Sequence, residues 1–329
     1  MTGSRIAVGI ALFLLATLPL WLTGIYYVNV ASQILFYAIF ALALNVLVGY
    51  GGLVSLGHAG LFGLASYACA IALQAHWDHF SAIIFALVIT LIGTAIFAFL
   101  SLRATGIGFI MITLANGQIL WGLAYRWIGL TNGDNGVTVS SRPTPFGFSL
   151  ASPTTFYYAT LIVFLFSVLA AAIFAQSPFG ASLRGARDQP RRMNALGYHV
   201  WMIRFYACLF SGLLSGVAGI LFVYYNLFIS PQTLALTASA EVILMVISGG
   251  SGTLLGPIVG AALVVIMKNV ASAYIVRWNL LLGAIFVAIV IFMPEGLVPG
   301  TVRLWRVCRN WLQSGRKTAI ATKIPEAKT

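Results

Sequence analysis

The chain has 329 residues, 60% of them hydrophobic and only 7% charged, and its mean hydropathy is +0.99. This composition excludes an ordinary soluble domain and indicates an integral membrane protein. The formal net charge of +12 does not require a nucleic-acid partner, because orientation in a bilayer and contact with anionic membrane lipids account for it.

Apolar runs follow one another along the chain, and most are long enough to cross the roughly 30 Å hydrocarbon layer as helices. Arg5 precedes the first run, but no small-residue cleavage site follows, so we expect a retained helix rather than a signal peptide. The fold class is therefore all-α, a polytopic integral membrane protein with about ten transmembrane helices and Gly-interrupted segments. The predicted spans are 6–24, 30–48, 55–75, 80–101, 105–128, 155–176, 205–228, 238–249, 254–271 and 279–294.

The distribution of basic residues predicts the orientation of these spans. With the amino terminus inside, 14 of the 18 Lys and Arg residues face the cytoplasm, as the positive-inside rule favours. Both termini are then cytoplasmic, residues 1–300 form a transmembrane domain, and residues 301–329 form a basic cytoplasmic tail. The four basic residues left outside are Arg126, Arg142, Lys268 and Arg277.

Glycines interrupt the helices around the second and third predicted spans, each at a cost of about 1 kcal/mol relative to alanine. Either close helix packing through small residues or a broken helix beside the substrate path would offset this cost. Residues 44–60 and 244–260 also match at a constant offset, either by chance in a chain with 33 glycines or because the two segments correspond. By analogy with secondary transporters, paired interrupted segments indicate a transport pathway. The interrupting glycines are Gly49, Gly51, Gly52, Gly57, Gly60 and Gly63, and the matched pairs are Leu44/Leu244, Val46/Val246, Gly49/Gly249, Gly52/Gly252 and Gly60/Gly260.

Few polar side chains fall within the predicted spans. Glu241 opens the eighth span, where it is either a functional intramembrane carboxylate or a charge that complements the helix dipole. His58 either makes a structural hydrogen bond or acts as a ligand in a functional site. The chain has no His or Cys spacing typical of a metal centre, so no metal ligand is predicted, and none of these polar residues is predicted to be catalytic. The candidates for the translocation path are Asn45, Gly49, Gly52, Ser55, His58, Glu241, Gly249 and Gly252.

Two long polar connections differ in chemistry. Residues 129–154 are rich in Gly, Asn, Ser and Pro and predict an exterior loop. Residues 177–204 are basic and carry helix signals: Ser177 and Pro178 suit the start of one short helix, and Asp188 or Gln189 can cap a second, which Gly197 ends.

The loop of residues 177–204 is either a plain positive-inside anchor or a docking element. The helix signals favour docking, because Met193 and Leu196 would form an apolar knob framed by arginines that suits a groove on a cytoplasmic partner. The predicted contact residues are Arg184, Arg187, Asp188, Arg191, Arg192, Met193, Leu196 and Gly197.

Three stretches, in this order, resemble the M-type permease subunits of branched-chain amino-acid ABC transporters. They are "LALNVLVGYGGLVSLGHAGLFGLASY" (42–67), the basic loop followed by "FSGLLSGVAGILF" (210–222), and "EVILMVISGGSGTLLGPIVGA" (241–261). The resemblance implies a permease subunit of an ATP-driven importer that carries a small amino acid, expected to be leucine, isoleucine or valine, across the bacterial inner membrane.

The resemblance also implies the partners: a homologous H-type permease subunit, two cytoplasmic ATPase subunits and a periplasmic substrate-binding protein, besides membrane lipids. The loop of residues 177–204 would be the coupling helix that receives the ATPases. No cofactor is implied for the chain itself, since the partner subunits use the ATP.

The residues themselves agree that this chain does not hydrolyse ATP, because "SGGSGTLLG" lacks the lysine of a phosphate-binding loop. Two other classes stay open. An ion-coupled secondary transporter would need several intramembrane carboxylates, whereas Glu241 is nearly the only one. An intramembrane serine protease could use Ser251 with His58, but it would lack an evident third orienting group.

Overall fold

The computed structural model describes residues 15, 17–19, 21, 24–139, 142–143, 150–274, 278–293 and 296–300. Most of the predicted first span, much of the predicted exterior loop and the whole predicted tail lie outside these residues. Within them the chain is almost entirely helical, which confirms the all-α prediction. The count of ten crossings stays a prediction.

The helices are named in chain order within the described residues. They are α1 (Ile25–Asn45), α2 (His58–Gln74), α3 (His79–Ser101), α4 (Ile107–Arg126), α5 (Ile128–Thr131), α6 (Pro153–Gln176), α7 (Pro178–Asp188), α8 (Pro190–Ala195), α9 (Val200–Asn226), α10 (Leu236–Gly249), α11 (Gly256–Tyr274) and α12 (Trp278–Phe292). A π-helical turn, Val46–Tyr50, continues α1, and 3₁₀ turns occupy Gly133–Asn135 and Pro231–Leu234. Two short strands, β1 (Val137–Thr138) and β2 (Phe228–Ile229), pair antiparallel.

Among the residues that the structure describes, five helical segments are long and apolar enough to cross a membrane, and three further apolar helices are shorter. The long segments are Ile25–Tyr50, His79–Ser101, Ile107–Arg126, Pro153–Gln176 and Val200–Asn226, and the shorter ones are His58–Gln74, Leu236–Gly249 and Gly256–Ser272. Helix α9 begins five residues before the predicted span 205–228. The prediction treated Arg204 as part of the loop, but this residue lies in the helix and donates from Nη2 to the Ala186 carbonyl at 3.0 Å.

The centre of the bundle is formed by α1, which packs against α6, α9, α10 and α11. From Leu35 through the start of the π-helical turn at Leu47, the residues are almost all buried. Helices α3 and α6 lie at the periphery and expose rows of isoleucine, leucine, valine and phenylalanine. Such outer faces suit contact with lipid or with another apolar surface.

The two ends of the bundle differ in chemistry. One end, called the basic end below, carries α7 and α8. The other, called the β end, carries the β1–β2 pair, in which Val137 lies opposite Ile229. Near it Arg142 donates to the carbonyls of Tyr224 and Tyr225, both at 2.9 Å, and partial burial lowers the pKa of its guanidinium.

Candidate functional site

The two glycine-rich segments are both breaks between helices, and the structure brings them together. The first break comprises the π-helical turn Val46–Tyr50 and residues 51–57, between α1 and α2, and the second comprises residues 250–255, between α10 and α11. Asn45 joins them, since its Nδ2 donates to the Thr253 carbonyl and its Oδ1 accepts from the Gly252 amide, both at 2.9 Å. Asn45 is only 1% exposed, and the second break provides hydrogen-bond partners for both the nitrogen and the oxygen of its buried side-chain amide.

Glycine is required where the breaks touch. A Cβ at Gly49 would overlap the Gly252 amide nitrogen and the Asn45 side-chain oxygen. Gly252 itself has φ +78°, a left-handed conformation that favours glycine. In contrast, Gly60 and Gly63 lie inside α2, where they pack closely against α4 and against Leu234. Close packing through small residues therefore accounts for Gly60 and Gly63, whereas Gly49 and Gly252 lie where the helices are interrupted.

Arg187 attaches the basic end to the first break. Its Nη1 donates to the Gly49 carbonyl at 2.6 Å, and its aliphatic carbons lie against Gly52. Its Nε also donates to Asp188 at 2.9 Å, in an exposed ion pair. A continuous path of contacts thus runs from α7 through Gly49 and Asn45 to the second break.

The basic loop contains the predicted pair of short helices. The Ser177 hydroxyl accepts from the Gly180 amide at the start of α7, as an N-cap does. Gln189 separates α7 from α8 and makes no side-chain cap bond. After α8, Gly197 has φ +86° and ends the helical path, as predicted.

The predicted contact residues of this loop divide into two groups. Arg184 and Arg187 hold the loop to the bundle, Arg184 by donating to the Ala175 carbonyl at 2.9 Å. Met193 is partly buried and packs against Gly185. The predicted residues Arg191, Arg192 and Leu196 are exposed, Leu196 to 66%. With Tyr198, an exposed residue that was not predicted, they form what we call the docking surface.

His58 makes a structural hydrogen bond in the core. Its Nε2 lies 3.2 Å from the Ser211 hydroxyl, which itself donates to the Ala43 carbonyl. Because a carbonyl can only accept, the Ser211 hydroxyl uses its proton in the bond to Ala43. Nε2 of His58 must therefore be the donor in its bond to Ser211. The imidazole therefore cannot act as a base towards that serine, and it is held by Ser211 rather than by Ser251.

Glu241 occupies a different part of the bundle from the two breaks. It is the sixth residue of α10, beyond the first turn, so the helix-dipole explanation does not account for it. Its Oε2 lies 3.1 Å from Nζ of Lys268 on α11. Sequence reasoning placed Lys268 outside the membrane and missed this partner, although the lysine lies within the predicted span 254–271.

Of the predicted path residues, the structure brings together Asn45, Gly49 and Gly252, and Gly249 is the last residue of α10, just before the second break. Gly52 lies beside them under Arg187. Ser55 is buried within the first break, and its hydroxyl has no hydrogen-bond partner among the described residues. His58 begins α2 directly after the first break, and Glu241 lies in another part of α10.

Replacing Asn45 with leucine is expected to lower the free energy of unfolding by about 2–4 kcal/mol, because two partly buried backbone groups lose the partners that the side-chain amide gives them. Thermal unfolding of the purified protein measures the change. The matched control is Asn226→Leu, since Asn226 is exposed and its side chain donates within its own helix, to the Phe222 carbonyl. Equal unfolding temperatures for the two variants would contradict the role given to Asn45.

Comparison with known proteins yields one family and several relatives. The family model described as branched-chain amino acid transport system / permease component matches residues 26–290. No solved structure matches the chain.

Two relatives are high-affinity branched-chain amino acid transport system permease proteins LivM. The protein from Salmonella typhimurium is 27% identical over 303 residues, and the one from Escherichia coli K12 is 26% identical over 303 residues. Each alignment covers 83% of this chain and 70% of the relative. The autoinducer 2 import system permease protein LsrC of Yersinia enterocolitica is 32% identical over 129 residues, 37% of this chain and 36% of that protein.

Proposed function

Since the chain belongs to the family of branched-chain amino acid transport permease components, we propose that it forms part of the membrane path of an ATP-driven importer of leucine, isoleucine or valine. As a member of this family it is a multi-pass membrane permease and not an enzyme. The observation that carries the proposal is the extent of the family match, because residues 26–290 include both helix breaks and the whole basic loop. The names of the two LivM relatives support the substrate class.

The proposal includes partners that supply what this chain lacks. Energy comes from two cytoplasmic ATPase subunits, because the sequence contains no phosphate-binding loop of its own. A homologous H-type permease subunit completes the path, and the apolar outer faces of α3 and α6 are compatible with lipid or such a partner. A periplasmic binding protein delivers the amino acid.

We place the protein in the bacterial inner membrane with its basic end and both termini in the cytoplasm. The concentration of arginine at the basic end supports this orientation. In this orientation the docking surface faces the ATPases in the cytoplasm, and the β end faces the periplasm, from which the binding protein approaches. The domain division, with a permease domain up to residue 300 and a basic tail after it, is part of the same proposal.

Coupling between ATP and transport would use the path of contacts through Arg187. Closure of the ATPases displaces the docking surface, and α7 moves with it. Arg187 transmits the displacement to Gly49, and Asn45 transmits it to Gly252. Two breaks that are joined by hydrogen bonds can then shift together, which suits a path that opens alternately to each side.

The test is uptake of radioactive leucine by proteoliposomes that contain the complete importer. We expect uptake that requires internal ATP and the binding protein, and no uptake when the ATPase subunits are omitted. Vesicles that contain ADP instead of ATP are the control. Uptake driven by an ion gradient without the ATPases would overturn the proposal in favour of a secondary transporter.

A further inference from the structure

A cavity of about 590 Å³ lies beside Glu241 and Lys268, within the size range of small-molecule sites. Helices α1, α2, α9, α10 and α11 all contribute to its wall. Gln232 and Thr233, on the 3₁₀ turn between α9 and α10, and Thr237 also line it. This turn follows β2 directly, so the cavity lies towards the β end, away from the docking surface.

One wall of the cavity is charged. Nζ of Lys268 lies 3.2 Å and 3.1 Å from the two carboxylate oxygens of Glu241. Both side chains remain partly accessible, 39% for Lys268 and 21% for Glu241. A carboxylate and an ammonium group in an otherwise apolar bundle are costly, and such groups usually line a substrate or ion pathway.

The wall contributed by α1, α2 and α9 is aromatic. Phe40 and Phe62 have ring centroids 4.5 Å apart, and Phe62 and Phe222 have ring centroids 5.3 Å apart. All three line the cavity, together with Val242 and Met245. The cavity therefore combines one charge of each sign with an apolar surface built from packed aromatic rings.

This combination matches the chemistry of an apolar amino-acid zwitterion. We propose that the cavity binds the transported amino acid, with its α-ammonium group on Glu241, its α-carboxylate on Lys268 and its side chain against the aromatic wall. A zwitterion brings one charge of each sign, so it can replace each partner of the ion pair without leaving a net charge in the bundle. The inference rests on the proposed function and adds a site on this chain at which the substrate is held.

The competing explanation is that Glu241 and Lys268 only neutralise each other. A variant that removes both charges, Glu241→Gln with Lys268→Met, separates the two explanations. Replacing an ion pair by neutral residues leaves no unpaired charge and is often harmless to stability. A purely structural pair therefore predicts wild-type leucine uptake by this double variant in the complete importer.

If the pair binds the zwitterion, we expect the double variant to assemble and to unfold at the wild-type temperature, but to lose about tenfold or more of leucine uptake, since its charge-assisted contacts are gone. The control variant is Gln33→Leu with Asn269→Leu. It removes a neighbouring hydrogen-bonded pair, 3.0 Å apart, whose residues do not line the cavity. This control is expected to retain uptake.

A second measurement applies even if the double variant does not assemble. Thr237→Cys, in a chain with Cys308→Ser, places a thiol in the lining, while Cys69 and Cys208 are buried. L-Leucine is expected to slow alkylation of this thiol in the complete importer, and the sugar alcohol mannitol is not.

The outcomes are distinguishable. If the wild-type importer takes up no amino acid, the proposed function fails and this site fails with it. If the wild-type importer takes up leucine and the assembled double variant does so equally well, the site alone is overturned. Unchanged alkylation in the presence of leucine would overturn it as well.

Discussion

Replacing Gly49 with alanine is expected to separate the two helix breaks and to abolish uptake. The new methyl group would overlap the Gly252 amide nitrogen and the Asn45 side-chain oxygen, and a backbone atom cannot turn aside as a flexible side chain can. Overpacking of this kind costs about 1–3 kcal/mol or more. The hydrogen bonds between Asn45 and the second break would be lost in addition.

Thermal unfolding in detergent and leucine uptake in proteoliposomes measure the effect of this change. Gly122→Ala is the matched control, because Gly122 also lies within a helix, α4, and a Cβ there meets nothing within 4 Å. Alanine is the better helix former by about 1 kcal/mol, so this variant should be as stable as the wild type or slightly more stable. A Gly49→Ala protein with normal unfolding and normal uptake would show that the two breaks need not touch.

The sequence was sufficient to predict most of the described helices and to identify both Gly-interrupted segments, but not the contact between those segments. Apolar runs identify helices because the bilayer requires them, and the constant offset between residues 44–60 and 244–260 pointed to two matching breaks. The third predicted span begins at residue 55, whereas the corresponding helix, α2, begins at His58. Residues 51–57 are as apolar as a helix, so hydropathy cannot distinguish buried irregular backbone from helical backbone.

Contacts between distant parts of the chain were beyond prediction from sequence. The basic loop was recognised from its charge, but charge alone does not show that Arg187 faces Gly49 while Arg191 faces outward. The same holds for Lys268, whose partner Glu241 lies on another helix. Composition and spacing identify polar residues in an apolar chain, whereas the packing of helices decides which of them meet.

The second large effect is expected when the exposed part of the basic loop is changed. The double variant Arg191→Glu with Leu196→Asp is expected to remain inserted and folded, because neither side chain packs within the bundle. It should lose co-purification with the ATPase subunits and lose uptake. Truncating one partner of a desolvated charge pair typically costs about 2–5 kcal/mol. The variant also places an aspartate carboxylate at position 196, where an apolar groove on the ATPase would receive the side chain of Leu196.

The measurement is a pull-down of the ATPase subunits beside a topology assay on the same membranes. Arg103→Glu is the matched control, because Arg103 is an exposed arginine in the connection between α3 and α4, outside the docking surface, and its reversal changes the net charge in the same direction. If the loop only orients the chain, both variants should behave alike, since most of the basic residues that orient the chain remain in each. Loss of ATPase association in the double variant alone would identify α8 as the coupling helix, whereas normal uptake by that variant would reduce the loop to a membrane anchor.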